Sequence, residues 1–349
     1  MKVKLEYIWL DGSKVQLLRS KTKIKEFKGI NVNKLLDTKD FHKYISDWNY
    51  DGSSTGQADC DNSDIILRPV NIFRNPLDED SILVMCETLN SDETPHETNN
   101  RRKMIESLKN DDNTWYGYEQ EYVIYNNDTM RPLGWPKDPN SFPKPQGDYY
   151  CGVGANHVSG REFVNKHRDL CLKAGLNISG INAEVMLGQW EYQIGPVSAA
   201  DGADQLWISR YLLYRLGESY NYSINIDPKP FKGEEWNGSG MHVNFSTEKL
   251  RKDLKNKSKI AIKYCEKLEK KHKEHILVYG DGNKDRLIGA NEAATMTDFT
   301  WGFKDRSASI RIPSTINDKH TPGYIEDRRP ASNADPYILV KRIVDTILN

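Results

Sequence analysis

Long apolar runs are missing from this chain. The longest, Ile82–Cys86, has five residues, where a membrane-spanning helix needs roughly 20, so no membrane partner is expected. The N-terminus lacks the apolar core of a secretory signal, because Glu6 arrives first. Cysteine is scarce: Cys60, Cys86, Cys151, Cys171 and Cys265 are scattered, odd in number and free of any Cys-x-x-Cys pair. Reduced thiols in a cytoplasmic protein are the expectation. Charge of one sign is absent too, since 49 basic residues meet 50 acidic ones. That removes any global electrostatic case for nucleic acid. There is no internal repeat, no low-complexity tract, no Walker glycine loop and no kinase signature. Tyr149–Gly154 lacks the third glycine of a dinucleotide fingerprint. A nucleotide site here has to be of another design.

What is present centres on Trp115–Tyr122, Trp-Tyr-Gly-Tyr-Glu-Gln-Glu-Tyr, which runs on into Val123, Ile124 and Tyr125. Aromatic and β-branched residues predict a strand, and period two puts Glu119 and Glu121 on one face. Such carboxylates repel unless a cation or a proton lies between them. Solvated glutamates on an exposed strand face give the same letters, so the pair alone does not decide.

Around it, Lys2–Thr22 reads as a hairpin turning at Asp11-Gly12, and Lys23–Tyr44 as irregular with one short helix. Asp47–Gly56 is dense in turn formers and reads as a surface loop. Ile65–Pro69 and Ile82–Glu87 read as strands, with a domain boundary in Asn90–Asn100. Helices are expected over Arg101–Lys109, Arg161–Ala174, Ala203–Asn221, Lys249–Val278 and Ile338–Leu348. His167 falls on an apolar stripe, whereas His272 and His275 lie among lysines and read as a solvated face. Ile181–Val185 and Gln189–Ile194 are predicted strands carrying Glu184 and Glu191. Trp236–Ser246 passes from a glycine turn into a strand, with His242, Asn244 and Ser246 on one face. Ser307–Pro313 and Tyr324–Arg328 complete the strands, the latter with Glu326 and Arg328 together.

Glu119, Glu121, Glu184, Glu191, His242 and Glu326 thus all fall on apparent strands. A floor of five carboxylates and one imidazole suits about two or three Mg²⁺ or Mn²⁺ ions. Arginines over the same floor suit phosphate, and metal with arginine is the apparatus of phosphoryl transfer.

Longer blocks carry a resemblance. Glu6–Gly12 (EYIWLDG), Trp48–Thr55 (WNYDGSST), Glu119–Tyr122 (EQEY), Asn182–Met186 (NAEVM), Trp190–Pro196 (WEYQIGP), Arg306–Pro313 (RSASIRIP) and Tyr324–Pro330 (YIEDRRP) occur in order. In these the sequence resembles the glutamine synthetases of the eukaryotic kind. The resemblance implies an α+β fold: a small β-grasp domain over residues 1–94, then a catalytic domain over 98–349 with a curved antiparallel sheet flanked by helices. It implies ATP-dependent ligation of L-glutamate and ammonium to L-glutamine through γ-glutamyl phosphate. One metal would take Glu121, Glu184 and Glu191, and the other Glu119, His242 and Glu326. Arg306 and Arg311 would hold the ATP phosphates and the transferring group, and Arg286 and Arg328 the glutamate carboxylate. Trp236, Asn237, Gly238 and Gly240 match the glutamate pocket; Trp115, Asn244, Ser246 and Tyr324 match the nucleotide side, with Glu119 and Glu191 reaching it. Glu292 matches a glutamate that closes over the intermediate. Asp51 matches an aspartate that takes a proton from ammonium at a neighbouring subunit's site, in a decamer of two pentameric rings. Two other outcomes stay open at the level of sequence: ligation of glutamate to a different amine, and a non-catalytic assembly protein of the same fold. Arg306 and Arg311 stand five positions apart, so a regular strand would put them on opposite faces; a bulge or a preceding loop is required.

Overall fold

Alternation of apolar and polar side chains builds the first sheet. Its strands are β1 (Lys2–Leu10), β2 (Leu18–Glu26), β3 (Trp48–Asp51), β4 (Asp64–Arg74) and β5 (Ser81–Leu89), in the order β2-β1-β5-β4-β3. β1 and β5 pair in parallel and the other pairs are antiparallel, which is the expected β-grasp arrangement. Every residue of β5 is buried, as its continuous apolar run requires. One face of the sheet (Val3, Leu5, Tyr7, Leu67, Ile82, Val84) closes on Val32 and Leu35 of helix α1 (Val32–Leu36). β2 is an edge whose lysines discourage further pairing. The computed structural model describes all residues except 39, 112 and 290–293, in two units: 1–106 with 169–176, and 107–168 with 177–349.

One local expectation fails in this unit and one is refined. Trp48–Asp51 is a strand rather than loop, because its aromatics have somewhere to go. Tyr50 is buried and donates to Gln57 at 2.5 Å, and Trp48 meets Tyr7 edge-on at 5.3 Å. The β1–β2 hairpin is present, but its connection is wider than a turn at Asp11-Gly12, a loop over 11–17. The buried Asp11 carboxylate organises it, accepting from Ser13 N, Leu17 N and the Arg19 guanidinium.

The second unit contains a nine-stranded sheet: β6 (Trp115–Asn126), β7 (Arg131–Pro132), β8 (Ile178–Ala183), β9 (Gln189–Ser198), β10 (Tyr222–Asn225), β11 (Met241–Ser246), β12 (Trp301–Phe303), β13 (Ile310–Ile312) and β14 (Ile325–Asp327). Its main path is β12-β13-β14-β11-β6-β9-β8, with β7 and β10 also on β6, and only β12–β13 is parallel. β6 alternates as its sequence predicts. Tyr116, Tyr118, Gln120 and Tyr122 are buried on the face away from Glu119 and Glu121. The remaining α-helices of the chain are α2 (Asn100–Ser107), which falls almost wholly in the first unit, α3 (Arg161–Ala174), which is divided between the two, and α4 (Ala199–Tyr220), α5 (Glu248–Lys252), α6 (Lys257–Lys270), α7 (His272–Ile276) and α8 (Pro336–Ile347). Behind β6, the buried Arg210 of α4 donates from Nε and Nη2 to Gln120 Oε1, at 2.9 and 2.7 Å.

The region 249–278 is three helices, not one, and its histidines are buried rather than solvated. His275 contacts the Tyr279 hydroxyl at 2.5 Å and Thr346 Oγ1 at 2.8 Å; burial pushes its pKa down to about 3. His272 Nδ1 lies 3.1 Å from Arg329 Nη1. The lysines that suggested a wet face flank these histidines without covering them. On β14 the alternation continues past the strand end: Asp327 and Arg329 pair through the back of the sheet, Nε to Oδ1 at 2.8 Å and Nη2 to Oδ2 at 2.6 Å, and Tyr279 adds a 2.8 Å bond to Oδ2. Both partners are essentially inaccessible. Arg329→Ala leaves the buried Asp327 charge uncompensated and is expected to cost about 3–5 kcal/mol, read as a lowered denaturation midpoint at unchanged m-value.

Candidate active site

Strand register assembles the site. Antiparallel pairing puts His242 opposite Glu119, Glu191 opposite Glu121, and Glu326 opposite both Asn244 and Arg311. Residues distant in the chain become neighbours within one cavity, lined by Glu119, Glu121, Glu184, Glu191, His242 and Glu326, together with Asn237, Arg306, Arg311, Arg328 and Tyr324. Glu184 differs from expectation in one respect: β8 ends at Ala183, so it lies just past the strand, with its backbone N–H bonded to Gln189 O. Arg306 lies in the loop before β13 and only Arg311 is on the strand. The preceding loop therefore resolves their five-residue spacing.

The six ligand-type residues form two sets, Glu119–His242–Glu326 and Glu121–Glu184–Glu191, with the donor atoms of each set within 4.8 Å of one another. Glu121 and Glu191 are carboxyls directly opposed on adjacent strands, an arrangement that destabilises a sheet unless a cation intervenes or one of the two keeps its proton. Glu326 Oε1 accepts from Arg328 Nη1 at 2.7 Å, and its Oε2 from Arg311 Nη1. His242 Nδ1 lies 3.4 Å from Glu119 Oε2 and 3.7 Å from Glu326 Oε1.

Burial, together with the negative charges of Glu119 and Glu184, pushes the Glu191 carboxyl up to about 8. For Glu119 burial acts in the same sense, but the His242 ring, the Asn244 amide and Arg328 outweigh it and hold the carboxyl at about 2. Burial and then Arg328 keep the His242 imidazole below its ordinary value, hence neutral and able to ligate near pH 7. Oxygen-rich sets with one imidazole fit hard divalent cations such as Mg²⁺ and Mn²⁺.

A pH dependence follows. Glu191 must ionise before it can ligate, and its proton is held up to about pH 8. Mn²⁺ affinity is expected to rise by up to about tenfold per pH unit from 6 towards 8 and to level off above. Calorimetry in buffers of different ionisation enthalpy will show proton release that fades over the same range. In the metal-free chain the sign for folding is the opposite: between about 4.5 and 8 the native state binds more protons through this group, so its contribution to stability falls as pH rises.

The glycine turn needs its glycine. A Cβ on Gly240 would sit 2.5 Å from Arg286 Nη2 and 3.2 Å from His242 Nε2. Arg286 is buried and bonds His242 Nε2 at 3.1 Å and Arg328 O at 3.2 Å. Gly238 O accepts from Gln189, and Trp236 packs against Trp135 and Phe231 at 4.8 and 4.9 Å.

Beside the carboxylates, an apolar cavity is walled by Trp115, Tyr116, Gly117, Ile194, Pro196 and Pro322, and it shares Glu119, Gln193 and Tyr324 with the first. Asn244 and Ser246 also line it; Ser246 donates to Gly323 O. In the N-terminal unit, exposed Asp51 accepts from Ser54 Oγ at 2.6 Å and Ser53 Oγ at 2.7 Å, which hold its carboxyl below the usual range. Glu292 lies outside the described residues.

Sequence reasoning missed the amides that hold these carboxylates. Gln189 donates to Glu121 Oε2 at 3.2 Å, Asn182 to Glu184 at 2.9 Å, and Gln193 to Glu191. Gln193 and Gln189 flank Glu191 at period two, a signal that was available but looks like any polar strand face. Gln146 and Tyr150, which also line the cavity, carry no such signal.

The model of the glutamine synthetase catalytic domain matches residues 99–348. The chain is 45% identical to glutamine synthetase N-1 of Phaseolus vulgaris, over 98% of its own length and 93% of the relative's. It is 45% identical to glutamine synthetase cytosolic isozyme 2 of Glycine max over 99% and 94%, and 46% to a glutamine synthetase of Panulirus argus over 98% and 91%. With identity at this level along nearly its whole length, and both carboxylate sets in place, the chain belongs to the glutamine synthetase family.

Proposed function

We propose that the chain is a glutamate–ammonia ligase, forming L-glutamine from L-glutamate, ammonium and ATP. The observation that carries this is the single cavity in which two metal-type sets meet Arg306, Arg311 and Arg328 beside an apolar pocket. Family membership supports it, and cytosolic isozymes among the relatives support a cytoplasmic protein.

Adenosine enters the apolar cavity between Trp115 and Tyr324, near Asn244 and Ser246. Glutamate lies towards Asn237 and the 236–240 turn, its carboxylate met by Arg328 with Arg286 behind. The γ-carboxylate oxygen attacks the γ-phosphorus, the bond to ADP breaks, and γ-glutamyl phosphate forms; ammonia then displaces phosphate. Divalent cations held by Glu121, Glu184 and Glu191 and by Glu119, His242 and Glu326 would neutralise the charge that otherwise keeps carboxylate and triphosphate apart. Arg306 and Arg311 steady the transferring group. Ammonium has to lose a proton first, which is the role of Asp51, presented at a neighbouring subunit's site in a ring-shaped homo-oligomer.

The test is Mg²⁺- and ATP-dependent γ-glutamyl transfer to hydroxylamine by the purified chain. No hydroxamate with Mg²⁺ or Mn²⁺ sinks the proposal; a larger amine preferred over ammonium redirects it to a different ligase. Asp51→Asn is expected to raise the apparent KM for ammonium by about tenfold or more while leaving ATP binding unchanged in calorimetry. An unchanged ammonium KM removes Asp51 from the scheme.

A further inference from the structure

The apolar cavity runs along β6 to Trp115, and Trp115, Thr321 and Pro322 also wall a second cavity. This one is cationic. Arg251, Lys252, Lys257, Lys319 and His320 line it against a single carboxylate, Glu248, which Lys252 already pairs. Four permanent positive charges and one negative leave a surplus of three.

Lys257 is the anomaly. It is 1% exposed, and its ammonium donates to Asp318 O and Thr321 O, both at 2.8 Å. Bonds from His320 N and Thr321 Oγ1 hold the nearby Asp318 carboxyl below the usual range, and it feels the Lys257 charge as well. The direct partners of Lys257 are two carbonyls, and the Asp318 carboxylate offsets its charge only through space. Its two bonds, with those from His320 N and Thr321 Oγ1 to the Asp318 carboxylate, fix the turn that carries Lys319 and His320. Arg251 is fixed as well: it lies 4.0 Å over the Trp115 ring and donates to Ser246 O and Asn113 O. The cavity is therefore a formed wall with a surplus of positive charge.

We propose that it binds a phosphate-class dianion, delivered as free phosphate or as a second phosphoryl group on the ribose of an adenine nucleotide whose base occupies the adjoining cavity. A dianion matches the surplus charge, and lysine with arginine is the donor set that phosphate takes. The ribose form rests on the nucleotide reading of the apolar cavity; the free form does not.

Calorimetry on the full chain, metal-free, with AMP, adenosine 3′,5′-bisphosphate and inorganic phosphate separates these. The comparison variant is Lys252→Glu with Lys319→Glu, both outside the proposed catalytic machinery. The bisphosphate is expected to bind about tenfold more tightly than AMP, and the variant loses that advantage while AMP affinity is retained. Lys319→Gln alone gives a smaller loss and covers the case in which the double reversal unfolds. If free phosphate is the ligand, its binding weakens in the variants and the bisphosphate gains nothing over AMP. Phosphate and bisphosphate binding that are both indifferent to the variants overturn the proposal. Failure of AMP itself to bind the native chain refutes the nucleotide reading instead, and the phosphate arm then decides alone.

Discussion

Glu326→Gln is expected to reduce glutamine formation by about 1,000-fold or more and Mn²⁺ affinity by at least about 100-fold. The shape of the side chain is kept, so the fold should hold. What goes is the charge at the meeting point of three groups: Arg311, Arg328 and the His242–Glu119 pair. The side chain is 1% exposed, so water cannot replace what is lost. A neutral amide has one carbonyl for the cation and turns its NH₂ towards one of two guanidiniums. The variant is measured by hydroxamate formation and Mn²⁺ calorimetry; turnover within tenfold of the native chain would remove Glu326 from the ligand set.

Arg311→Ala carries the second large effect, a fall in kcat of about 10³–10⁵-fold. Arg311 is held on β13 against β14 by the same register that places Glu326. Its guanidinium lines the cavity that Glu119 shares with the apolar pocket. A group acting on the transferring phosphoryl is needed in the transition state more than in the bound substrates. The KM for ATP should therefore change by much less than kcat. Arg311→Lys keeps the charge but not the fork, and partial recovery is expected. Equal changes in KM and kcat for both variants would recast Arg311 as a binding group.

Much of this was legible in the letters where physics is local. Period two on Trp115–Tyr125 gave the two faces of β6, and the apolar stripe of 161–174 put His167 in the core, where burial lowers its pKa to about 4. Register was not legible. Nothing in a linear reading says that Glu326 meets Arg311 on one neighbour and Asn244 on another, since pairing between strands is settled by the whole sheet. Propensity misled where tertiary burial outbid it. Turn formers at 47–56 hide a strand fastened by Tyr50 and Trp48, and lysines at 267–273 hide His272 and His275, which answer to Arg329 and Tyr279. The domain that resemblance implied came from blocks of letters, while the amides of Gln189, Asn182 and Gln193 became visible only once each carboxylate had coordinates.

Six side chains in one cavity form two sets that could each hold a divalent cation. Titration of the metal-stripped chain with Mn²⁺ at pH 8, followed by calorimetry and by electron paramagnetic resonance, tests this most directly. At least two ions per chain, with spin–spin broadening between them and loss of one class of site in Glu326→Gln, is the predicted result. A single ion, or binding that survives the loss of these carboxylates, contradicts it.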